Sequence, residues 1–409
     1  MLPQDLAGAV VGVVGAGTMG AGIAQVALEA GHEVVLHDVD AAALERGRRR
    51  IREGLARRVA RLDLDADSID EWVDGRLERL RDSLVLDALA GEATLIVEAA
   101  LEDLELKRTI FRALDAGAPG DTILATNTSA LSVGSIAEAA GRPERVVGLH
   151  FFNPAPLMPL VEVVRGSRTA EHVVMSSVAL VERWGKTPVV CADAPGFIVN
   201  RVNRPFTLEA LAILEAGEAT VPQIDAALRT AGYPMGPFEL MDLTGVDVSL
   251  ATARGIHESC RAAGDSLADR FRPATLQERL VAAGRIGRKA GAGFYGYDAT
   301  ANEAPEIPGT SPLRPEAAAA SGDLDPANRN RIVERIELAI VNEAYRALEA
   351  GVAGREPIDL ALRLGAGHPE GPFERWQGRG GSEAIRARLA ELQDLGPRFI
   401  PASTLTGRH

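Results

Sequence analysis

Lysine is almost absent from this chain of 409 residues. Of 44 basic side chains, only Lys107, Lys186 and Lys289 are lysines, and the other 41 are arginines. Cysteine is scarcer still. Cys191 and Cys260 give no disulfide framework and no metal-ligand cluster, so no metal is expected. A basic excess is also missing. The 57 acidic residues bring the net charge to −13, which excludes a general nucleic-acid or anionic-membrane binder. No long uninterrupted apolar run occurs. The opening MLPQDLAGAVVGVVGAG has no basic segment ahead of its apolar stretch, and glycines interrupt that stretch, so it reads as neither a signal peptide nor a membrane span. A soluble chain in a reducing, cytoplasmic compartment is expected. What is present, 46% apolar and 25% charged residues, is globular in composition, and the length allows two or three domains.

Residues 9–17 (AVVGVVGAG) read as a buried parallel strand running into a glycine turn. A helix from Met19 to Ala30 follows, then a second strand, EVVLHD (33–38). This βαβ opening predicts a doubly wound α/β sheet of Rossmann type. Residues 41–90 are rich in arginine and acidic residues with leucines at helical spacing, and predict an arm of two long exposed helices. Strand patterns resume at 94–99, 122–127, 146–152, 160–164 and 187–191, so a first domain is expected over 1–191. An all-α domain is expected over 192–298, a linker over 299–324 and a second, partial helical domain over 325–409. The last is an internal repeat. EALAILEAG (209–217) returns as EAYRALEAG (343–351), Ile224-Asp225 as Ile358-Asp359, and GYPMGPFE (232–239) as GHPEGPFE (367–374).

Gly15-Ala16-Gly17-Thr18-Met19-Gly20 is a GxGxxG between a strand and a helix, the context that a dinucleotide site requires. Gly15 permits the tight turn, Gly17 a close approach of pyrophosphate to the backbone, and Gly20 helix-on-strand packing. Asp38, 18 residues past Gly20, stands where an acid accepts hydrogen bonds from an adenosine ribose and repels a 2′-phosphate. The pattern favours NAD over NADP, with Arg46 nearby keeping NADP open. A tight turn followed by a solvated aspartate is the plainer alternative.

His150 ends the strand VVGLHFF. Pro154, Pro156 and Pro159 stiffen the connection to the next strand, which carries Glu162. A carboxylate paired with this imidazole would fix its tautomer for general-base work. From spacing alone, a hydrogen-bonded core histidine fits equally well. The other histidines read as surface or structural.

These stretches carry a resemblance. GAGTMGAGIAQVALEAGHEVVLHD, IVEAALEDLELK, ILATNTSALSV, GLHFFNPAPLMPLVEVV, GKTPVVCADAPGFIVNR, GYPMGPFELMDLTG and GRKAGAGFYGY occur in the order found in the L-3-hydroxyacyl-CoA dehydrogenase family and span residues 9 to 297. The repeat over 325–409 resembles the extra helical domain of its longer members. The resemblance implies oxidation of an acyl-CoA substrate's 3-hydroxyl, with hydride passing to NAD. It implies that His150 takes the hydroxyl proton, that Glu162 pairs with the imidazolium, and that Ser129 and Asn200 hold the substrate oxygens. Asn153 would buttress the site. Glu102 and Lys107 would lie near the nicotinamide half of the cofactor, and Asn127 would line the same cleft.

Plainer readings stand beside these. Ser129 and Asn127 fit equally as caps of a helix starting near Leu131, Asn200 as a surface polar residue, and Glu98 as a locally paired strand acid. On the arm, the family's CoA-contacting serine position reads here as Gly54, while Arg61 keeps the basic charge expected to meet CoA. Two-domain members dimerise through the helical domain. The expectation here is therefore either a homodimer or a monomer whose repeat replaces the partner. The alternatives in function are a dehydrogenase of another β-hydroxy acid and a non-catalytic, crystallin-like NAD-binding relative. Lys107 is expected at the cofactor, and Lys186 and Lys289 in structural roles such as binding carbonyls or an acid.

Overall fold

The computed structural model describes residue 6 and residues 8–59, 66–297 and 324–406. Arg61, residues 299–323 of the expected linker and His409 lie outside them. Two compact units divide the chain between Phe197 and Ile198.

The first unit is built on one eight-stranded sheet in the order β3-β2-β1-β4-β5-β6-β7-β8. Its strands are β1 (Val10–Val14), β2 (Glu33–His37), β3 (Leu80–Ser83), β4 (Leu95–Glu98), β5 (Ile123–Thr126), β6 (Val146–Phe151), β7 (Leu160–Arg165) and β8 (Thr187–Ala192). Its helices are α1 (Thr18–Glu29), α2 (Ala41–Val59), α3 (Ala66–Leu77), α4 (Leu86–Glu92), α5 (Leu104–Gly117), α6 (Val133–Ala137) and α7 (Glu171–Arg183). The central strands are buried along nearly their whole length, which is why they read as continuous apolar runs rather than alternating ones. Chain order reverses between β1 and β4, and ligands of such sheets bind beyond the carboxyl ends of the strands at that switch point.

All strand pairs are parallel except β6–β7. Eight residues, 152–159, separate these two strands. A parallel crossover needs a dozen or more, so the chain can only turn back on itself.

The two-helix reading of residues 41–90 needs correction. The arm is α2 and α3, ending at Leu77, and residues 80–83 form an edge strand beside β2, followed by α4. Only Leu80 of that strand is fully buried, so LRDS carries no apolar signature. On α2, Leu44, Gly47, Ile51, Gly54, Leu55 and Val59 form the buried face. Gly54 faces α1: a Cβ there would collide with the Gln25 side chain. The position therefore serves helix packing. The arginines of α2 face outward in exposed pairs such as Arg52–Asp74 at 2.8 Å, contacts of little energetic weight.

The second unit is helical. Its first half holds α8 (Val199–Val202), α9 (Arg204–Glu215), α10 (Val221–Thr230), α11 (Pro237–Thr244), α12 (Val246–Ala262) and α13 (Thr275–Ala282). Its second half holds the helices Pro326–Glu349, Arg355–Ala366, Pro372–Gln377 and Gly381–Leu392. The halves repeat in detail. Asp225 accepts the N–H groups of Phe238 and Glu239, and Asp359 those of Phe373 and Glu374. Burial pushes both carboxyls up, to about 7 and about 6.

The halves also contact each other reciprocally, as the two sides of a two-fold interface do. Arg201 bonds Glu343 at 2.8 Å, and Arg335, 134 residues after Arg201, bonds Glu209, 134 residues before Glu343, at 2.6 Å. Glu343 also takes Arg270 at 2.6 Å, and Glu209 takes Arg398 at 2.5 Å. Arg270-Phe271 and Arg398-Phe399 thus form a further repeated block, hidden in sequence by a different offset. The turns match as well: a Cβ at Gly232 would meet Pro369, and one at Gly367 would meet Pro234.

Removing one partner of a buried ion pair strands the other charge. Glu343→Ala, which leaves Arg201 without its acid and Arg270 with Asp265 alone, is expected to cost about 3–5 kcal/mol in chemical denaturation. A loss under 1 kcal/mol would show that the pair does not hold the halves.

His368 is buried, its Nε2 bonded to the side-chain Oδ1 of Asn203 at 2.8 Å, and burial and then the Arg375 charge pull its pKa to about 3. Above the ordinary value of 6.5, folded and unfolded states are both neutral. Between 6.5 and 3 only the unfolded state takes up the proton, so stability falls by as much as about 1.4 kcal/mol per pH unit. His368→Gln should flatten the acid loss of melting temperature over that range. An unchanged pH slope would contradict the assignment.

Candidate functional site

The glycine loop joins β1 to α1. Gly15 has φ +102°, and a Cβ there would lie 2.7 Å from the Ala99 carbonyl oxygen. A Cβ on Gly20 would collide with the Gly15 carbonyl oxygen. Gly17 differs: nothing lies within 4 Å of its Cβ position, so the space over the loop is open. Gly17 is the N-cap of α1, no side chain caps that end, and its first turn, with Thr18, Met19 and Gly20, carries no acid. The positive helix end is therefore available to a phosphate, and these residues fit a dinucleotide. Just past the end of β2, Asp38 accepts the Ala16 N–H at 2.9 Å and thereby fixes the loop. Arg46 pairs with Asp40 at 3.4 Å.

At the far side of the sheet, the antiparallel register sets His150 directly opposite Glu162. His150 Nδ1 and Glu162 Oε2 are 2.6 Å apart, and both residues are buried. Two rings flank the imidazole, Phe152 at 4.5 Å and Phe197 at 5.7 Å between centroids. Phe197 has φ +48°, an uncommon conformation for a bulky residue. Lys186 Nζ donates to the carbonyls of Pro156 and Met158, each at 2.9 Å, and so staples the loop joining the two strands. Asn127 Oδ1 accepts the Phe151 N–H at 2.9 Å, which ties the end of β5 to the residue after His150. On β8, burial and then the Glu162 charge push the Cys191 thiol far up, so it is no nucleophile.

A charge chain, buried at Glu98 and Lys107 and reaching the surface at Glu102, lies at the ends of β4 and β5. Glu98, fully buried, accepts from Lys107 Nζ at 2.7 Å, the Ala100 N–H at 2.7 Å and the Thr126 hydroxyl at 2.7 Å. Lys107, also buried, reaches Glu102 at 3.4 Å. Glu102 gathers the Thr128 hydroxyl at 2.6 Å and the N–H groups of Ser129 at 2.9 Å and Ala130 at 3.1 Å. Burial would raise the Glu102 carboxyl, but the Thr128 bond, the Lys107 charge and the two N–H donors together hold it below the usual range. Glu98 therefore has a definite role, as the counter-charge of Lys107.

The reading of Ser129 or Asn127 as a helix cap is overturned. The helix starts at Val133 with Ser132 as its N-cap, and Asp193 holds that end through Ser132 Oγ at 2.7 Å and the Gly134 N–H at 2.8 Å. Glu102 has already taken the N–H groups of residues 129 and 130, so the chain turns once more before it coils. The sequence reading missed Thr126, Thr128 and Asp193. The threonines of ATNTS and the acid after TPVVCA were their signals. Asn153 stands exposed on the 152–159 loop. Asn200 lies on α8 in the second unit. Lys289 Nζ bonds Asp247 at 2.7 Å in that unit, a structural contact of the expected kind.

Comparisons with known proteins show what the chain is similar to. The family described as the NAD binding domain of 3-hydroxyacyl-CoA dehydrogenase matches residues 10–194, and its C-terminal domain matches residues 196–297 and 332–381. Over 97% of each chain, the sequence is 37% identical to 3-hydroxyadipyl-CoA dehydrogenase of Escherichia coli K12. It is 43% identical to mitochondrial hydroxyacyl-coenzyme A dehydrogenase of Sus scrofa over 290 residues, 70% of this chain and 90% of that one. A crystal structure of 3-hydroxybutyryl-CoA dehydrogenase from E. coli K12 superposes over 98% of both chains with a TM-score of 0.83 at 37% identity.

Lys107 binds two carboxylates from a buried position. Lys107→Met is expected to cost about 3–5 kcal/mol in stability, because Glu98 keeps a buried charge without its cation. Glu98→Gln combined with Lys107→Met should recover part of that loss in a double-mutant cycle. Strict additivity of the two changes would deny the pair.

Proposed function

Because this chain belongs to the 3-hydroxyacyl-CoA dehydrogenase family, we propose that it oxidises the 3-hydroxyl of an L-3-hydroxyacyl-CoA to a ketone, and catalyses the reverse, with His150 as the general base. The observation that carries this reading is the buried His150–Glu162 pair, set by β-sheet register at the end of β6. NAD supplies the hydride acceptor. The protein's part is to remove the hydroxyl proton and to hold the substrate oxygens.

Glu162 occupies Nδ1, so Nε2 is the nitrogen left to accept the hydroxyl proton as hydride departs from C3. The imidazolium that forms is then compensated by Glu162 at 2.6 Å, in a setting largely closed to water. Phe152 and Phe197 restrict the ring's tilt. Ser129, bonded to Glu102 through its N–H at 2.9 Å and its hydroxyl at 3.4 Å, is the candidate hydroxyl for the substrate oxygens, and Asn200 is the candidate amide. Asn153 supports that region, and Arg61 meets the phosphates of CoA. The substrate class extends to acyl chains ending in a second carboxylate, as the E. coli relative's name states for that protein. The reciprocal ion pairs of the second unit support a monomer whose repeat stands in for a partner's helical domain.

His150→Ala should reduce NADH formation from 3-hydroxybutyryl-CoA by about 10²–10⁴-fold, with NAD affinity unchanged in calorimetry. Turnover within a few-fold of the unaltered protein would remove His150 from the chemistry.

A further inference from the structure

Helices α8 and α9 follow one right-handed path. Asn203, which joins them, has φ −82° and ψ −8°, and the hydrogen-bond ladder breaks there because Pro205 has no N–H to donate. Asn200 and Arg204 are four residues apart on that path, so they share a face, with a rise of ~6 Å between them.

Arg204 differs from every other buried arginine among the described residues. Arg145 has Asp115, Arg201 has Glu343, Arg270 has Glu343 and Asp265, and Arg335 has Glu209 and Glu218. Arg204 has no carboxylate. Its Nη1 reaches the Ser249 hydroxyl at 3.4 Å, and its Nε is sealed from solvent without a partner. Burial alone pulls this guanidinium down to about 10, with nothing opposing it. A buried cation without a counter-charge is costly to the fold, and this protein pairs its buried arginines elsewhere. The residue is buried but not fully sealed, with 9% of it exposed.

We infer that Arg204 is the receptor for a carboxylate at the far end of the substrate's acyl chain, which makes the substrate class a 3-hydroxyacyl-CoA derived from a dicarboxylic acid. The inference rests on the dehydrogenase reading, in which Asn200 holds the oxygens at the reacting end of the acyl group. One helical turn from Asn200 is within reach of a few methylenes, whereas the phosphates of CoA lie at the opposite end of the thioester. A guanidinium fork matches a carboxylate in a bidentate pair, and an uncharged chain end would leave Arg204 as it stands here, without an acid. The chain's arginine bias does not explain the position, because an arginine serving only as a diffuse surface charge would be solvated.

The test is the ratio of kcat/KM for 3-hydroxyadipyl-CoA to that for 3-hydroxyhexanoyl-CoA, which has the same length but ends in a methyl group. The unaltered protein should favour the diacid by at least about tenfold, the worth of one charge-assisted hydrogen-bonded pair. Arg204→Met should lower that ratio by a similar factor, chiefly through KM for the diacid, and Arg204→Lys should restore part of it. A ratio at or below one in the unaltered protein overturns the inference, as does a folded Arg204→Met variant with an unchanged ratio. If Arg204→Met fails to fold by circular dichroism, the ratios of the unaltered protein and of Arg204→Lys decide the matter. Oxidation of the six-carbon monoacid with no diacid preference sinks the inference but leaves the dehydrogenase reading intact. Oxidation of neither compound sinks both.

Discussion

The antiparallel pairing of β6 with β7 is the constraint on which the first unit's chemistry depends. Every other pair in the sheet is parallel, and a parallel β7 would have sent Glu162 to a different neighbour. Eight intervening residues leave no room for a crossover, so the strand reverses and the register puts Glu162 across from His150. The remaining contacts secure that geometry. Lys186 clamps the reversing loop by two carbonyls, and Asn127 anchors the strand end beside His150. The strongly directional part of the site is thus backbone pairing, which does not move with side-chain rotamers.

Buried charge is the second organising feature. The three lysines sit where one compact ammonium serves its acceptors at short range: two carboxylates for Lys107, two carbonyls for Lys186, one aspartate for Lys289. Arginine takes the sites where a planar fork pairs with an acid, as in the four reciprocal contacts to Glu209 and Glu343. Those contacts make the repeat a mutual support. In these four contacts each half supplies the glutamate that neutralises the other half's arginines.

Features with a local signature were legible in the sequence. The glycine loop, Asp38 and His150 each stand at or beside a strand end, and Glu162 lies within the next strand, where pattern and chemistry coincide. Features decided by packing were not. β3 escaped notice because an edge strand of sequence LRDS buries one residue fully. Gly54 was visible as a missing hydroxyl, but its reason is the approach of Gln25 from α1. Ser132 displaced Ser129 as a helix cap because Glu102, distant in sequence, captures the N–H groups of residues 129 and 130. Arg398-Phe399 lay outside the repeat's register, and only its ion pair with Glu209 reveals its equivalence to Arg270-Phe271. Arg204 looked like one arginine among 41, and only the absence of an acid beside it in the folded chain sets it apart.

The central claim is that a register-fixed carboxylate makes His150 an effective base. The most direct measurement is single-turnover NADH formation from 3-hydroxybutyryl-CoA by Glu162→Gln, an isosteric change that keeps a hydrogen-bond acceptor opposite Nδ1 but removes the charge. The account predicts a fall in rate of about 10²–10⁴-fold with NAD affinity unchanged. A rate within a few-fold of that of the unaltered protein would contradict it.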